Sequence, residues 1–149
     1  MLVRLSMLLN PLIRPILQSR LHWLLSAGLM LITVTARKSG RRYTIPVGYH
    51  EMTDAIVVLV GEAPTKTWWR NYTQPGPIEV RLRGVQRFGR AVVIPPATEQ
   101  FRRTAEQSFR RSRVIPRLFG IAFDPKGELK VEDAERFAQR AAIVRITLD

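Results

Sequence analysis

The chain has 149 residues, the size of one ordinary domain, and its composition, 46% apolar and 24% charged, can bury a real core. It has no cysteine, which excludes disulfides, thiol chemistry and cysteine metal sites, and two histidines, His22 and His50, are too few for a convincing metal site. Net charge is +12, with seven Lys or Arg and no acid ahead of Glu51; a field of that sign draws phosphates, nucleic acid, acidic small molecules or anionic lipid.

Residues 1–27 read as an amphipathic helical segment ahead of a barrel core over 28–149, all in one domain. Pro11, Arg14, Pro15 and Arg20 break the first apolar run too often for the core of a signal peptide. The apolar stretch from Trp23 to Ala36 falls short of the roughly 20 residues that a membrane span needs. A helix over about 12–26 therefore either packs on the domain or lies on an anionic membrane surface, with Leu and Trp inward and Arg at the headgroups. The expected location is the cytoplasm, with a peripheral position at the inner face of the membrane under the second reading.

Gly28 ends that helix, and Leu29 to Thr35 reads as a buried strand. The bend "RKSGRR" follows, then a second strand over Tyr43 to Tyr49, a polar loop "EMTD", and a very apolar third strand over Ala55 to Val60. Pro64 stops that strand, and Thr65 to Tyr72 is expected to form one short helix. After a turn-rich break at Gln74 to Pro77, Ile78 to Leu82 alternates as a strand, with Ile78, Val80 and Leu82 on one face. Arg83-Gly84 turns the chain into a long strand over Val85 to Ile94, ended by Pro95-Pro96. Thr98 is a plausible N-cap for a helix over about 99–111, with Phe101, Ala105 and Phe109 on one stripe. Further helices are expected over Val114 to Phe119 and over 132–140, and a last strand over Ala142 to Leu148. About six mostly antiparallel strands with helices around them make a mainly β, α+β fold, a small closed or half-open barrel.

The bend carries the first functional signal. Gly40 permits a tight backbone reversal. Successive amide N–H groups in such a turn can converge on an anion. Arg37 offers a flat fork to phosphate oxygens, Lys38 a mobile point charge, and Ser39 a further donor. Arg41 and Arg42 add charge, and no acid stands nearby in the sequence. A phosphate clamp and a solvated, charge-decorated hairpin both fit these residues; a Walker A loop and a dinucleotide fingerprint do not, because their glycine spacing is missing. The second signal is "APTKTWWRN". Lys66 follows a strand end, and Trp68 and Trp69 point about 100° apart on a helix, so one can enter the core while the other lines a cleft. Asn71 can hold the following turn.

Together, "ARKSGRRYTIP", the apolar strand pair, "GEAPTKTWWRN" and the hairpin "IEVRLRGVQRFGRAVVI" resemble the deazaflavin-dependent nitroreductase family, flavin and deazaflavin oxidoreductases of split β-barrel fold. The resemblance runs from about Leu29 to Pro95. It implies coenzyme F420 as cofactor, with FMN second, and a basic turn that grips the cofactor's phosphate and acidic tail. Arg37, Lys38, Ser39 and Gly40 match that grip, Arg41 and Arg42 stand beside it, and Lys66 matches a second basic contact. Thr44, Ile45 and Pro46 fall where the family lays backbone against the ring, and Trp68 and Trp69 join the cofactor side. Tyr43 stands where the family commonly has Arg, and no tyrosine follows Tyr72, so nitro-drug reduction does not carry over.

The implied activity is hydride transfer from reduced cofactor to a small-molecule acceptor such as a quinone, enone or unsaturated lipid. Tyr43, Tyr49 and Tyr72 are the candidate proton donors. The competing readings are a cofactor- or lipid-binding barrel without turnover and, on charge alone, a basic nucleic-acid binder. No recognition motif supports the last, and nucleic acid is not the expected partner.

Overall fold

The computed structural model describes residues 28–111, 116, 119–121 and 128–149. Seven strands form one antiparallel sheet: β1 (Leu29–Thr35), β2 (Arg42–Gly48), β3 (His50–Glu51), β4 (Ile56–Gly61), β5 (Gly76–Leu82), β6 (Val85–Val93) and β7 (Ala141–Leu148). Two α-helices, α1 (Glu99–Arg111) and α2 (Val131–Arg140), complete the described elements, with two 3₁₀ turns at Ala63–Thr65 and Trp68–Tyr72. The expected helix over 12–26 lies outside the described residues, as does most of the one expected over 114–119.

The sheet runs β2-β1-β5-β6-β7-β4-β3. Two hairpins, β1–β2 and β5–β6, are joined by the pairing of β1 with β5, while β7 closes on β6 on one side and β4 on the other. The sheet curls into a half-barrel. Ile45 of β2 and Val58 of β4 stand near opposite ends of the strand order yet pack into one interior cluster, and β2 approaches β4 directly. The fold is thus the mainly β half-barrel with outer helices that the sequence implies.

Period-two alternation builds two cores from the same strands. On β4, Ile56, Val58 and Val60 face the barrel interior, while Val57 and Leu59 face the helices. On β7, Ala142, Val144 and Ile146 face inward and Ala141 and Ile143 outward. Against the outer face, α1 presents Phe101, Ala105 and Phe109, and α2 presents Ala134 and Phe137. Phe137 meets Phe109 edge-on at 5.1 Å and Phe119 edge-on at 4.7 Å, an arrangement that aromatic quadrupoles favour over flat stacking. Thr98 caps α1 as expected, its hydroxyl accepting the Phe101 N–H at 3.2 Å.

Two expectations need correction. There are seven strands rather than about six, because His50–Glu51 forms a short edge strand on β4 where a loop was expected to begin. Residues Thr65 to Tyr72 do not form one helix. They break at Lys66, whose backbone is extended, into two 3₁₀ turns. Thr65, Thr67 and two tryptophans are weak helix formers, and so short a segment cannot offset the cost of α-helix nucleation.

Candidate functional site

The basic bend links β1 to β2 and closes on itself. Ala36 donates its N–H to the Arg41 carbonyl at 2.9 Å, and Gly40 donates to the Ala36 carbonyl at 2.8 Å. Gly40 has φ +69, a left-handed conformation that explains glycine at this position. The Arg41 N–H donates to the Ser39 hydroxyl at 3.2 Å. Arg37 is tied sideways: its N–H donates to Asn71 Oδ1 at 3.0 Å, and its guanidinium donates to the Gln74 carbonyl at 2.8 Å. These bonds correct the expectation that the bend's amides converge on an anion. The N–H groups of Arg37, Gly40 and Arg41 are engaged within the protein, which leaves those of Lys38 and Ser39 without a partner among the described residues.

The side chains carry the charge outward. Arg37, Lys38 and Arg41 are exposed, and none of them forms an ion pair among the described residues. Arg42 differs. It pairs with Glu79, two strands away across β1, so the expectation that no acid neutralises the bend fails at this residue. Glu79 also accepts a hydrogen bond from Gln86 and is thereby held in place.

Beside the bend, strand β2 is an edge strand whose Tyr43, Ile45 and Val47 alternate onto the interior side. All three are half-buried, as is Trp69, and together they form an apolar lip on the barrel interior. Thr44 and Pro46 point to the other face, where the Thr44 and Thr33 hydroxyls bond at 2.8 Å. Trp68 is buried edge-on to Tyr72, with centroids 6.4 Å apart, while Trp69 donates its indole N–H to the Ala63 carbonyl at 2.9 Å and has Arg70 over its ring. Trp68 thus lies in the core, and Trp69 is half-buried against it. Lys66 is half-buried; burial pulls its pKa below the ordinary value, and Glu62 partly opposes this. It is Asn71 rather than Lys66 that the hydrogen bonds connect to the bend.

The three tyrosines occupy different settings. Tyr49 is buried in the interior core. Tyr72 is 1% exposed and donates its phenol to the Pro77 carbonyl at 3.1 Å. Burial pushes its pKa up from 10.0 to about 12, helped by nearby Tyr43 and opposed by a hydrogen bond with the Thr35 backbone. Tyr43 sits at the lip, where burial raises its pKa and a hydrogen bond with the Asn71 side chain holds it down in part. Val47 and Gln74 are site residues that the sequence did not single out; strand alternation from Tyr43 and Ile45 identifies Val47, and nothing local identifies Gln74, while Asn71, expected to hold the following turn, bonds back to the bend.

Tyr72→Phe yields a test. Loss of the bond to Pro77 is expected to cost about 1 kcal/mol at neutral pH. The raised pKa means the folded state holds the phenol proton that the unfolded state releases, so this contribution is intact below pH 10 and drains away as pH rises toward 12. Denaturant titrations at pH 7 and pH 11 are expected to show the wild type losing its advantage over Tyr72→Phe at the higher pH.

Two clefts lie beside α1 and share no residue with the bend. One, of about 480 Å³, runs between α1 and α2 past Glu99, Arg102 and Val131. The other, of about 460 Å³, is lined in part by Asp54, Arg103 and Arg145. In the second, Arg145 pairs with Asp54 and Arg103 with Glu99, so neither cation awaits an external anion.

No protein-family model matches the chain, and neither does any curated protein. Solved structures do. The FMN-binding, pyridoxamine 5'-phosphate oxidase-related protein of Nostoc punctiforme is similar with a TM-score of 0.55 at 10% identity, over 94% of this chain and 80% of that one. HutZ, the heme storage protein of Vibrio cholerae, is similar with a TM-score of 0.52 at 12% identity, over 95% of this chain and 90% of its own. Atu2129 of Agrobacterium tumefaciens, a protein of unknown function, reaches 0.51 at 15% identity, over 89% of this chain but 55% of its own. At these identities the likeness establishes a shared fold.

Proposed function

We propose that this chain is a deazaflavin-dependent oxidoreductase that holds coenzyme F420 at the basic bend and against the β2 lip. One observation carries the reading: Arg37, Lys38 and Arg41 project charge that is unpaired among the described residues, from a bend that neutral groups, Asn71 and the Gln74 carbonyl, hold in place. A protein that wanted these cations only for solubility has no need to fix their backbone. The residues present fit an anionic, flat cofactor. The cations suit phosphate and carboxylate oxygens. The lip of Tyr43, Ile45, Val47 and Trp69 suits the apolar face of a ring system, and the open side of an edge strand suits its polar rim.

When bound, the cofactor supplies two-electron hydride chemistry. The chain's own part is to orient the ring, exclude water from one face and move a proton. Tyr43 is the tyrosine placed for the last role, since it stands at the lip while Tyr49 and Tyr72 are buried. A phenol carries its proton at neutral pH, and burial at the lip only raises the Tyr43 pKa further. The acceptor is a quinone, an enone or an unsaturated lipid. An acceptor drawn from a membrane is the version that the composition of residues 1–27 favours, and deletion of that segment is expected to abolish vesicle binding while sparing cofactor binding.

A second reading, FMN in the same place, is favoured by the FMN-binding Nostoc protein of like fold. Fluorescence titration of the protein with oxidised F420, FMN and single-stranded DNA separates the readings. Tight F420 binding that weakens in Lys38→Ala, with weak FMN and DNA binding, supports the proposal. Tighter FMN binding selects the second reading, and tight DNA binding alone overturns both. Failure of the reduced protein–cofactor complex to pass electrons to any quinone would leave a carrier rather than an enzyme.

A further inference from the structure

We propose that Asn71 is the positioning residue of the basic bend, the group that fixes where its cations point. The inference rests on the functional reading above and concerns how the bend is aimed rather than what it binds. The Asn71 side chain makes two hydrogen bonds to backbone. Its Oδ1 accepts the Arg37 N–H at 3.0 Å, and its Nδ2 donates to the Trp68 carbonyl of its own turn at 3.0 Å. One half-buried amide therefore bolts the first residue of the bend to the tryptophan turn. A carboxylate could accept the Arg37 N–H equally well, but it would place a negative charge beside the cations and cancel part of their field. A hydroxyl has too short a reach to span the same two partners. The neutral carboxamide keeps the charge available while its geometry is set before any ligand arrives, which lowers the ordering cost of binding.

The alternative is that Asn71 merely stabilises the Trp68–Tyr72 turn through its bond to Trp68. Amide hydrogen exchange in the unliganded protein distinguishes the two. The Arg37 amide is expected to be protected in the wild type, exposed in Asn71→Ala, and protected again in Asn71→Asp, which retains the acceptor but not the donor to Trp68. A turn-stabilising role alone makes the two variants alike. In parallel, F420 titrations of wild type and Asn71→Ala are expected to differ by about tenfold in Kd, with the same weakening on added salt, because no cation has been removed. Unchanged Arg37 exchange in Asn71→Ala, or unchanged Kd, overturns the inference. Should Asn71→Ala fail to fold, loss of Arg37 protection in folded Asn71→Asp does the same. If the wild type binds neither F420 nor FMN, the functional reading falls, and the exchange data alone decide whether Asn71 holds the bend.

Discussion

Gly89→Ala is expected to lower stability by about 3 kcal/mol or more, because an added methyl group there meets backbone. Gly89 sits on β6, paired with Ile78 of β5 on one side and Leu148 of β7 on the other. A Cβ there would lie 2.2 Å from the Thr147 carbonyl oxygen and 3.0 Å from Leu148 Cα. Both are backbone atoms of a paired strand, so no side-chain rotation relieves the clash. Either β7 moves away from β6 or the local register opens, and in each case several ladder bonds stretch together. Against a total of roughly 5–15 kcal/mol for a domain of this size, the loss consumes much of the margin. Urea unfolding followed by far-UV dichroism checks it. A midpoint within error of the wild type would show that β6 and β7 are farther apart than described. Gly40→Ala has open space around the added methyl group and differs only in backbone strain, so it is expected to cost less.

Reversing two charges with Lys38→Glu and Arg41→Glu together is expected to weaken F420 binding on the order of a thousandfold at low salt. Both side chains are exposed and neither is in an ion pair among the described residues, so stability is expected to stay within about 0.5 kcal/mol of wild type. The same pair of reversals at 1 M salt is expected to cost far less, because the screening length falls to about 3 Å. Arg42→Glu offers the contrast. Arg42 already answers Glu79, so its reversal sets two acids facing each other across β1 and is expected to cost stability as well as affinity. Isothermal titration at two ionic strengths, with thermal melts on the same samples, reads both quantities. Equal loss of affinity at low and high salt would mean that the bend does not act through charge.

Much of the frame is legible from local pattern. Leu29–Thr35 carries an apolar run, Val85–Val93 is bounded by the Arg83-Gly84 turn and Pro95-Pro96, and α1 carries a clean stripe behind Thr98; each stands within a residue of its expected bounds. What pattern could not convey is pairing at long range. Arg42 and Glu79 are 37 positions apart, and Arg37 and Asn71 are 34 apart. Both contacts exist because β1 lies between β2 and β5, a neighbour relation that no periodicity records. Short elements were the other blind spot. His50–Glu51 is too brief for alternation to register, and the residues around Lys66 read as helical only if the weak propensities of threonine and tryptophan are ignored. At the bend itself the charges and the glycine were plain, but the inward turn of the Ser39 hydroxyl toward Arg41 N–H, which removes one amide from service, depends on a rotamer.

The place of β7 in the sheet has a further consequence for how the protein comes into being. Two earlier-made blocks, one of β1, β2, β5 and β6 and the other of β3 and β4, are joined into one sheet through residues 141–148. During ribosomal synthesis, both blocks must wait with raw strand edges and bare valine and isoleucine faces until those residues emerge from the exit tunnel. Such a nascent chain invites holding by chaperones, and loss of residues 141–148 would leave facing edges of both blocks unpaired.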